Sequence, residues 1–387
     1  MREYSSPLTV EIPTCGNLTD HIVRNAAEDP DRVSLSRRTD SGWTDVSAGQ
    51  FLDEVRRTAK GLIAAGIAEG DRVALLSKTR YEWTLLDYAI WFAGAITVPI
   101  YETSSQQQIE WILSDSGASG VVAETAAHAD RVRDAQDATD NKGHVWVLEE
   151  GGVTALQAEG TTVSDEELEA RRTAADPDSP ATIVYTSGTT GRPKGCILTH
   201  HNFMFELGVA LHELDDLFEV EDASTLLFLP LAHVFARIIQ IGAIKARVSL
   251  DHTSDIKNLV EALQTFQPTF ILAVPRVFEK LFNTASQRAV ADGHGRVFDA
   301  AANTAIAYSK ALDQRPGLLL RARHSVFDRL VYSKLREALG GRCGYAISGG
   351  ARSVSGLGTS TAAPGSTSSR ATASPRPRRP LRRTAPP

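Results

Sequence analysis

The chain has 387 residues, enough for two or three folding units with real cores, and 42% hydrophobic against 23% charged residues is a globular composition. A formal net charge of −6 hides a division: residues 352–387 hold seven arginines and no lysine or acidic residue, so the first 351 carry 34 basic against 47 acidic groups, a net −13. An acidic body excludes nucleic acid as the expected partner, and three scattered cysteines, Cys15, Cys196 and Cys343, exclude a disulfide framework or zinc ribbon.

That cysteine usage fits a reducing cytoplasm. The start, Met1 to Pro7, lacks the apolar core of a secretory signal, and no run reaches the roughly 18 apolar residues of a spanning helix. The nearest, Tyr88 to Val98, follows Asp87 and contains Gly94, so it reads as a buried helix running toward a buried strand. A cytoplasmic protein is expected, with any membrane contact peripheral at the inner face.

In chain order, Phe51, Leu52, Val55, Ala59, Leu62 and Ile63 keep the spacing of a one-sided helix, ended by Gly66. Arg72 to Leu76 reads as a strand, Tyr81 to Phe92 as a helix, Ala95 to Ile100 as a strand, Gln106 to Ser116 as a helix and Gly120 to Ala123 as a strand. This alternation predicts a parallel sheet with helices on its faces. Asp165 to Arg172 runs acidic then basic, and Asp176-Pro177-Asp178-Ser179-Pro180 is turn chemistry, which places a linker before the apolar stretch Ala181 to Val184.

A second α/β series follows. Thr225 to Leu229, Arg247 to Leu250 and Thr269 to Val274 read as strands, and Ile256, Leu259, Val260 and Leu263 share a helix face. Residues 276–339 are mostly helical by pattern, broken at Pro316-Gly317, and Gly344 to Ser348 is a short strand. The predicted organisation is a first α/β subdomain over 1–175, a second over 176–351, and a basic Pro/Arg/Ser-rich tail over 352–387. With Val354, Leu357 and Leu381 as its only larger aliphatics, the tail is expected to stay disordered. A shift of reading frame accounts for its Ala/Arg/Pro/Ser/Gly mixture; a basic tether for anionic lipid or nucleic acid is the other reading.

Between those series, Tyr185-Thr186-Ser187-Gly188-Thr189-Thr190-Gly191-Arg192-Pro193-Lys194-Gly195 leaves the strand as a phosphate-gripping loop. Glycines let the backbone turn its N–H groups toward an anion, hydroxyls add donors, and Lys194 supplies a mobile charge. The spacing differs from the common NTPase loop, since Lys194 follows Pro193 and precedes Gly195. A surface turn would share the composition, but not about ten specified positions after a strand.

This loop resembles the signature of the adenylate-forming superfamily, which activates carboxylates as acyl-AMP. Val98 to Ser105, Leu229 to Arg237, Val274 to Lys280 and Ile347 to Ala351 are similar to the bacterial long-chain fatty-acid-CoA ligase branch, and the resemblance runs from about Leu18 to Ala351. It implies an α/β fold, the N-terminal domain of an adenylate-forming enzyme, with two parallel-rich sheets flanked by helices and incomplete at its C-terminal side. It further implies ATP, Mg²⁺, a fatty acid and CoA as ligands. Thr186, Ser187, Gly188, Thr189, Thr190, Gly191 and Lys194 would hold phosphates, with Thr189 or Thr190 near the metal. His233, Gly349, Gly350 and Ala351 would line the acyl and adenylate pocket, with His233 in an orienting role.

Arg276 and Glu279 fit a helix start beside that site or an ion pair. For the adjacent His200 and His201, directions about 100° apart on a helix argue for a cap or surface role over a metal pair. The sequence holds no Tyr-Gly-x-Thr-Glu segment, whose glutamate holds Mg²⁺ in the family, no Tyr-x-Thr-Gly-Asp segment, whose aspartate holds the ribose, and no mobile domain with its catalytic lysine. No catalytic residue is therefore assigned, the main carboxylate metal ligand is missing, and little activity is expected of this chain. The alternatives are a fatty-acyl-AMP ligase serving a carrier protein, or a non-catalytic nucleotide- or acyl-binding fragment.

Overall fold

A computed structural model of the protein describes residues 10–39, 42–139, 142–186, 192–214, 217–218, 220–311 and 316–349. In order, the elements are α1 (Asp20–Glu28), β1 (Val33–Thr39), β2 (Gly42–Ser47), α2 (Ala48–Ala64), β3 (Arg72–Leu76), α3 (Tyr81–Phe92), β4 (Ile96–Ile100), α4 (Gln106–Ser116), β5 (Gly120–Ala123), α5 (Ala126–Thr139), β6 (His144–Val147), α6 (Gly152–Glu159) and α7 (Asp165–Ala174). Then come β7 (Pro180–Thr186), β8 (Lys194–Thr199), α8 (His200–Glu213), β9 (Ser224–Leu227), α9 (Val234–Lys245), β10 (Ser249–His252), α10 (Leu259–Phe266), β11 (Phe270–Ala273), α11 (Pro275–Ala291), α12 (Gly295–Ala311), α13 (Leu318–Phe327), α14 (Ser333–Ala338) and β12 (Tyr345–Ser348).

The chain divides into two compact units, Met1–Leu272 with Ser333–Gly344, and Ala273–Tyr332 with Tyr345–Pro387. The first unit contains two mixed sheets. One has the order β6-β5-β3-β4-β7-β8, parallel except for the antiparallel β7–β8 pair. The other runs β11-β9-β10-β1-β2, parallel except for the antiparallel β1–β2 hairpin. Strands that follow residue 175 thus complete the sheet begun by β3, and the early hairpin β1–β2 extends the later sheet through the Leu35–Leu250 register.

Local chemistry explains the elements that frame the site. Ser47 accepts from the Gln50 N–H at 3.3 Å while the Gln50 side chain accepts from the Ser47 N–H at 2.9 Å, a reciprocal cap that starts α2. Ser105 and Gln108 start α4 in the same way, and Gly117 ends it at φ +60°, a left-handed conformation that glycine adopts without strain. Apolar side chains of α4 pack on β4 and β5, where Val98, Ile100, Ile109, Leu113 and Val121 form one buried cluster with Tyr185. In α3 every residue except Glu82 is buried, the pattern of a helix enclosed on all sides rather than a surface one.

Residues 165–174 form α7, so the connection before β7 is the short run 175–179. Ser164 accepts from the Glu167 N–H at 3.1 Å, with acids in the first turn and Arg171 and Arg172 in the last. That order of charges complements a helix dipole.

The second unit is mostly helical. Pro275 occupies the first turn of α11, where its missing N–H costs nothing. Phe282 and Phe298 pack at 5.3 Å between α11 and α12. His324 of α13 stacks on Tyr308 at 4.0 Å and contacts Tyr332 at 5.1 Å, while the Tyr332 hydroxyl donates to the Ala301 carbonyl at 2.7 Å.

Candidate functional site

The glycine-rich segment joins the ends of two paired strands. Thr186, the last residue of β7, lies opposite Lys194, the first of β8, and both are exposed. Lys194 therefore stands on a strand end, where the sequence reading placed it within the loop. Ser187, Gly188, Thr189, Thr190 and Gly191 lie outside the described residues.

Side chains from α4 hold the stem of this hairpin. The Tyr185 hydroxyl donates to Asp115 Oδ2 at 2.6 Å, and burial, reinforced by that carboxylate, raises the Tyr185 phenol above its ordinary value. Trp111 Nε1 donates to the Pro193 carbonyl at 2.8 Å, and the Arg192 guanidinium lies 4.7 Å over the same indole. Gly195 pairs with Tyr185; a Cβ there would come within 2.9 Å of Ile183 Cγ2 and 3.2 Å of the Tyr185 ring. That close packing leaves no room for a side chain at this motif position.

His233 stands apart, on the segment leaving β9. The Thr79 hydroxyl fixes that segment by donating to the Leu229 carbonyl at 2.7 Å and accepting from the Leu231 N–H at 3.1 Å. His233 is exposed and caps α9, its Nδ1 accepting from the Phe235 N–H at 3.2 Å. The acceptor role leaves Nε2 as the nitrogen carrying the proton in the neutral ring. In the second unit, the Gly349 N–H donates to the Ala273 carbonyl at 3.0 Å; Gly350 and Ala351 lie outside the described residues. Arg276 falls in the first turn of α11 and is exposed, and Glu279 follows just beyond that turn.

His200 departs from its expected surface or capping role. Thr199 caps α8 and His200 is buried, its Nδ1 accepting from the Leu18 N–H at 3.4 Å and its ring 5.8 Å edge-on to Trp91. Burial, assisted by Arg237, lowers its pKa to about 4.

Sequence reasoning missed the charged centre of this unit. Arg237 and Asp87 are both 0% exposed and joined by Nη2–Oδ1 at 2.5 Å and Nε–Oδ2 at 3.2 Å. Thr97 and Gln240 also donate to Asp87, at 2.8 and 3.0 Å, and Trp83, Trp91 and Phe203 surround the guanidinium at 5.4–5.6 Å. From Gln240 the network continues to Thr84, which donates at 2.8 Å and lies 2.8 Å from His252 Nε2. Because the hydroxyl has one proton, spent on Gln240, His252 Nε2 is the donor. The available signal was one acid, Asp87, inside the otherwise apolar run Leu85 to Phe92 and one arginine, Arg237, inside an apolar motif. Among the described residues, no three His, Cys, Asp or Glu side chains converge as a metal site.

Residues 22–355 match the AMP-binding enzyme family. The chain is 47% identical over 355 residues to the long-chain-fatty-acid–CoA ligase FadD15 of Mycobacterium bovis and 46% to that of Mycobacterium tuberculosis, covering 91% of this chain and 59% of each relative. It thus spans about three fifths of the length of these relatives. Among solved structures, the inhibitor-bound N-terminal domain of FACL13 from Mycobacterium tuberculosis superposes with a TM-score of 0.63 at 22% identity, covering 90% of this chain and 73% of that one. ATP-bound MatB from Rhodopseudomonas palustris does so with a TM-score of 0.56 at 23% identity, over 69% of this chain and 51% of that one. Both share the α/β fold of two sheets flanked by helices described above. By the match across residues 22–355, the chain belongs to the AMP-binding enzyme family.

Proposed function

We propose that this chain is the nucleotide- and acyl-binding part of an enzyme that spends ATP to activate a long-chain fatty acid, first as acyl-AMP and then as acyl-CoA. The observation that carries the reading is 47% identity, across 91% of the chain, to a relative named as a long-chain-fatty-acid–CoA ligase. In support, the segment between Thr186 and Lys194 begins and ends on paired strand ends, which sets its two anchor points for an anion grip.

In this reading the carboxylate attacks the α-phosphorus in line and pyrophosphate leaves, so no protein nucleophile is required and catalysis rests on positioning and charge neutralisation. Thr186, Ser187, Gly188, Thr189, Thr190, Gly191 and Lys194 hold the β- and γ-phosphates. His233 orients the reacting groups from the start of α9, and Gly349, Gly350 and Ala351 line the acyl and adenylate pocket. Mg²⁺, when bound with the nucleotide, neutralises phosphate charge. The hydroxyl of Thr189 or Thr190 would stand near the metal beside the phosphates, and the carboxylate that holds it in the family has no counterpart in this sequence. CoA is the proposed acyl acceptor.

Calorimetric titration of the purified chain with MgATP tests the reading. Saturable binding in the wild type, weakened at least tenfold by Lys194→Ala with unchanged thermal unfolding, is expected. A folded wild type that binds no ATP at millimolar concentration overturns it.

A further inference from the structure

One helix of the second unit shows solvent an apolar stripe. Leu318, Ala322 and Val326 follow one another at four-residue steps along α13, so they share a side of the helix, and these three and Leu330, on the wider turn that follows α13, are exposed. Leu318 and Leu319 are 83% and 86% exposed, Val326 and Leu330 56% each. The other side already has its packing, through buried His324 between Tyr308 and Tyr332. The outward leucines contribute nothing to that packing, and large apolar side chains left adjacent in water mark an interaction surface.

Charge identifies the occupant. Arg321 and Arg323, both exposed, project beside the stripe, and residues 318–334 carry four basic groups against the single acid Asp328, in a chain whose first 351 residues are net −13. At 100° per residue these two arginines fall on opposite margins of the Leu318–Leu319–Val326 arc. Apolar side chains on one arc with arginines at its edges suit a helix lying in a bilayer interface, leucines among the acyl chains and guanidiniums at the phosphates. Among the described residues no helix is long and apolar enough to cross a membrane, so the contact is of the kind that lies on the surface.

We propose that the outer face of α13 is a docking surface for an anionic lipid bilayer, with Leu318 and Leu319 as the inserting side chains and Arg321 and Arg323 as the headgroup contacts. The assignment stands on this surface alone and does not depend on the proposed catalytic function.

The test is flotation of the full chain with vesicles of pure phosphatidylcholine or of phosphatidylcholine with 40% phosphatidylglycerol. Wild type is expected to bind the anionic vesicles, Leu318→Ser/Leu319→Ser to lose at least tenfold in affinity with an unchanged melting temperature, and Arg321→Gln/Arg323→Gln to lose the preference for phosphatidylglycerol. In a second arm, the added tryptophan of Leu319→Trp is expected to shift its emission to the blue on binding and to be quenched by brominated acyl chains. Equal binding by wild type and the serine variant overturns the proposal in favour of the arginine-rich residues 352–387. No binding by wild type, no lipid quenching at position 319, or a dimer that the serine pair disperses overturns it as well.

Discussion

Arg237 of α9 clamps Asp87 of α3 through two hydrogen bonds, 150 residues apart in sequence and with neither side chain reaching solvent. Burial pushes the Asp87 carboxyl upward, and Arg237, Thr97 and Gln240 oppose that shift. Taking both charges out of water costs more than a surface pair returns, but removing one partner strands the other. Arg237→Met and Asp87→Ala should therefore each cost about 3–5 kcal/mol in urea unfolding. The double substitution Asp87→Leu/Arg237→Met should recover most of that loss. A single variant as stable as wild type would show the pair to be dispensable.

Acid should unfold the chain through its buried histidines. Burial is the main cause that lowers His21 and His252 to about 3 and His200 to about 4. Each is neutral when folded and titrates near its ordinary value of about 6.5 when unfolded. The unfolded chain thus takes up protons below pH 6.5 that the folded chain refuses, and the stability these groups give above 6.5 is lost as pH falls toward 4. Each adds about 1.4 kcal/mol per pH unit to the slope in that window. Denaturation series at pH 4.5, 5.5 and 6.5 should show the acid limb, and His21→Phe should reduce its slope by about one proton.

The opposite limb belongs to Asp251. It is 1% exposed, among the described residues neither carboxylate oxygen finds a hydrogen-bond partner, and burial raises its pKa to about 8 despite the His252 backbone and Arg38. A carboxyl raised when folded contributes stability that is full below the unfolded value near 3.9 and lost as pH rises through about 8. Between pH 6.5 and 8, above the histidine window, stability should fall by about 1.4 kcal/mol per unit. Asp251→Asn should flatten that fall and raise the melting temperature at pH 8. A variant with an unchanged alkaline limb would place the titrating group elsewhere.

These charged centres show where reading the sequence stops. β3, α3, β4, α4 and β5 were legible because their apolar periodicity is local, and the alternation of strand and helix implied their sheet. The hairpin β1–β2 was not: Val33, Leu35, Trp43 and Val46 are sparse apolar residues, and the partner across Leu35 is Leu250. Nothing near residue 35 announces a strand more than two hundred positions away. At the candidate site, motif composition singled out Thr186 and Lys194, which the structure pairs at the ends of β7 and β8. What supports that run, Trp111 and Asp115 on α4, belongs to ordinary helical spacing and becomes visible only when β7 and β8 are laid beside α4.

The support from α4 leads to a prediction about binding. Trp111 holds the Pro193 carbonyl with its indole N–H and carries Arg192 on its ring face, immediately before Lys194. Trp111→Phe keeps a ring in place and removes the donor, a loss of about 1 kcal/mol, equivalent to roughly fivefold in affinity if the hydrogen bond fixes the hairpin for its ligand. Trp111→Ala removes the ring as well and should weaken MgATP binding further, still by less than Lys194→Ala, which removes the charge itself. Calorimetric titration of the three variants beside wild type reads the order directly. If both Trp111 variants bind MgATP as wild type does while Lys194→Ala does not, the β7–β8 pairing alone sets the hairpin geometry and α4 serves only the core.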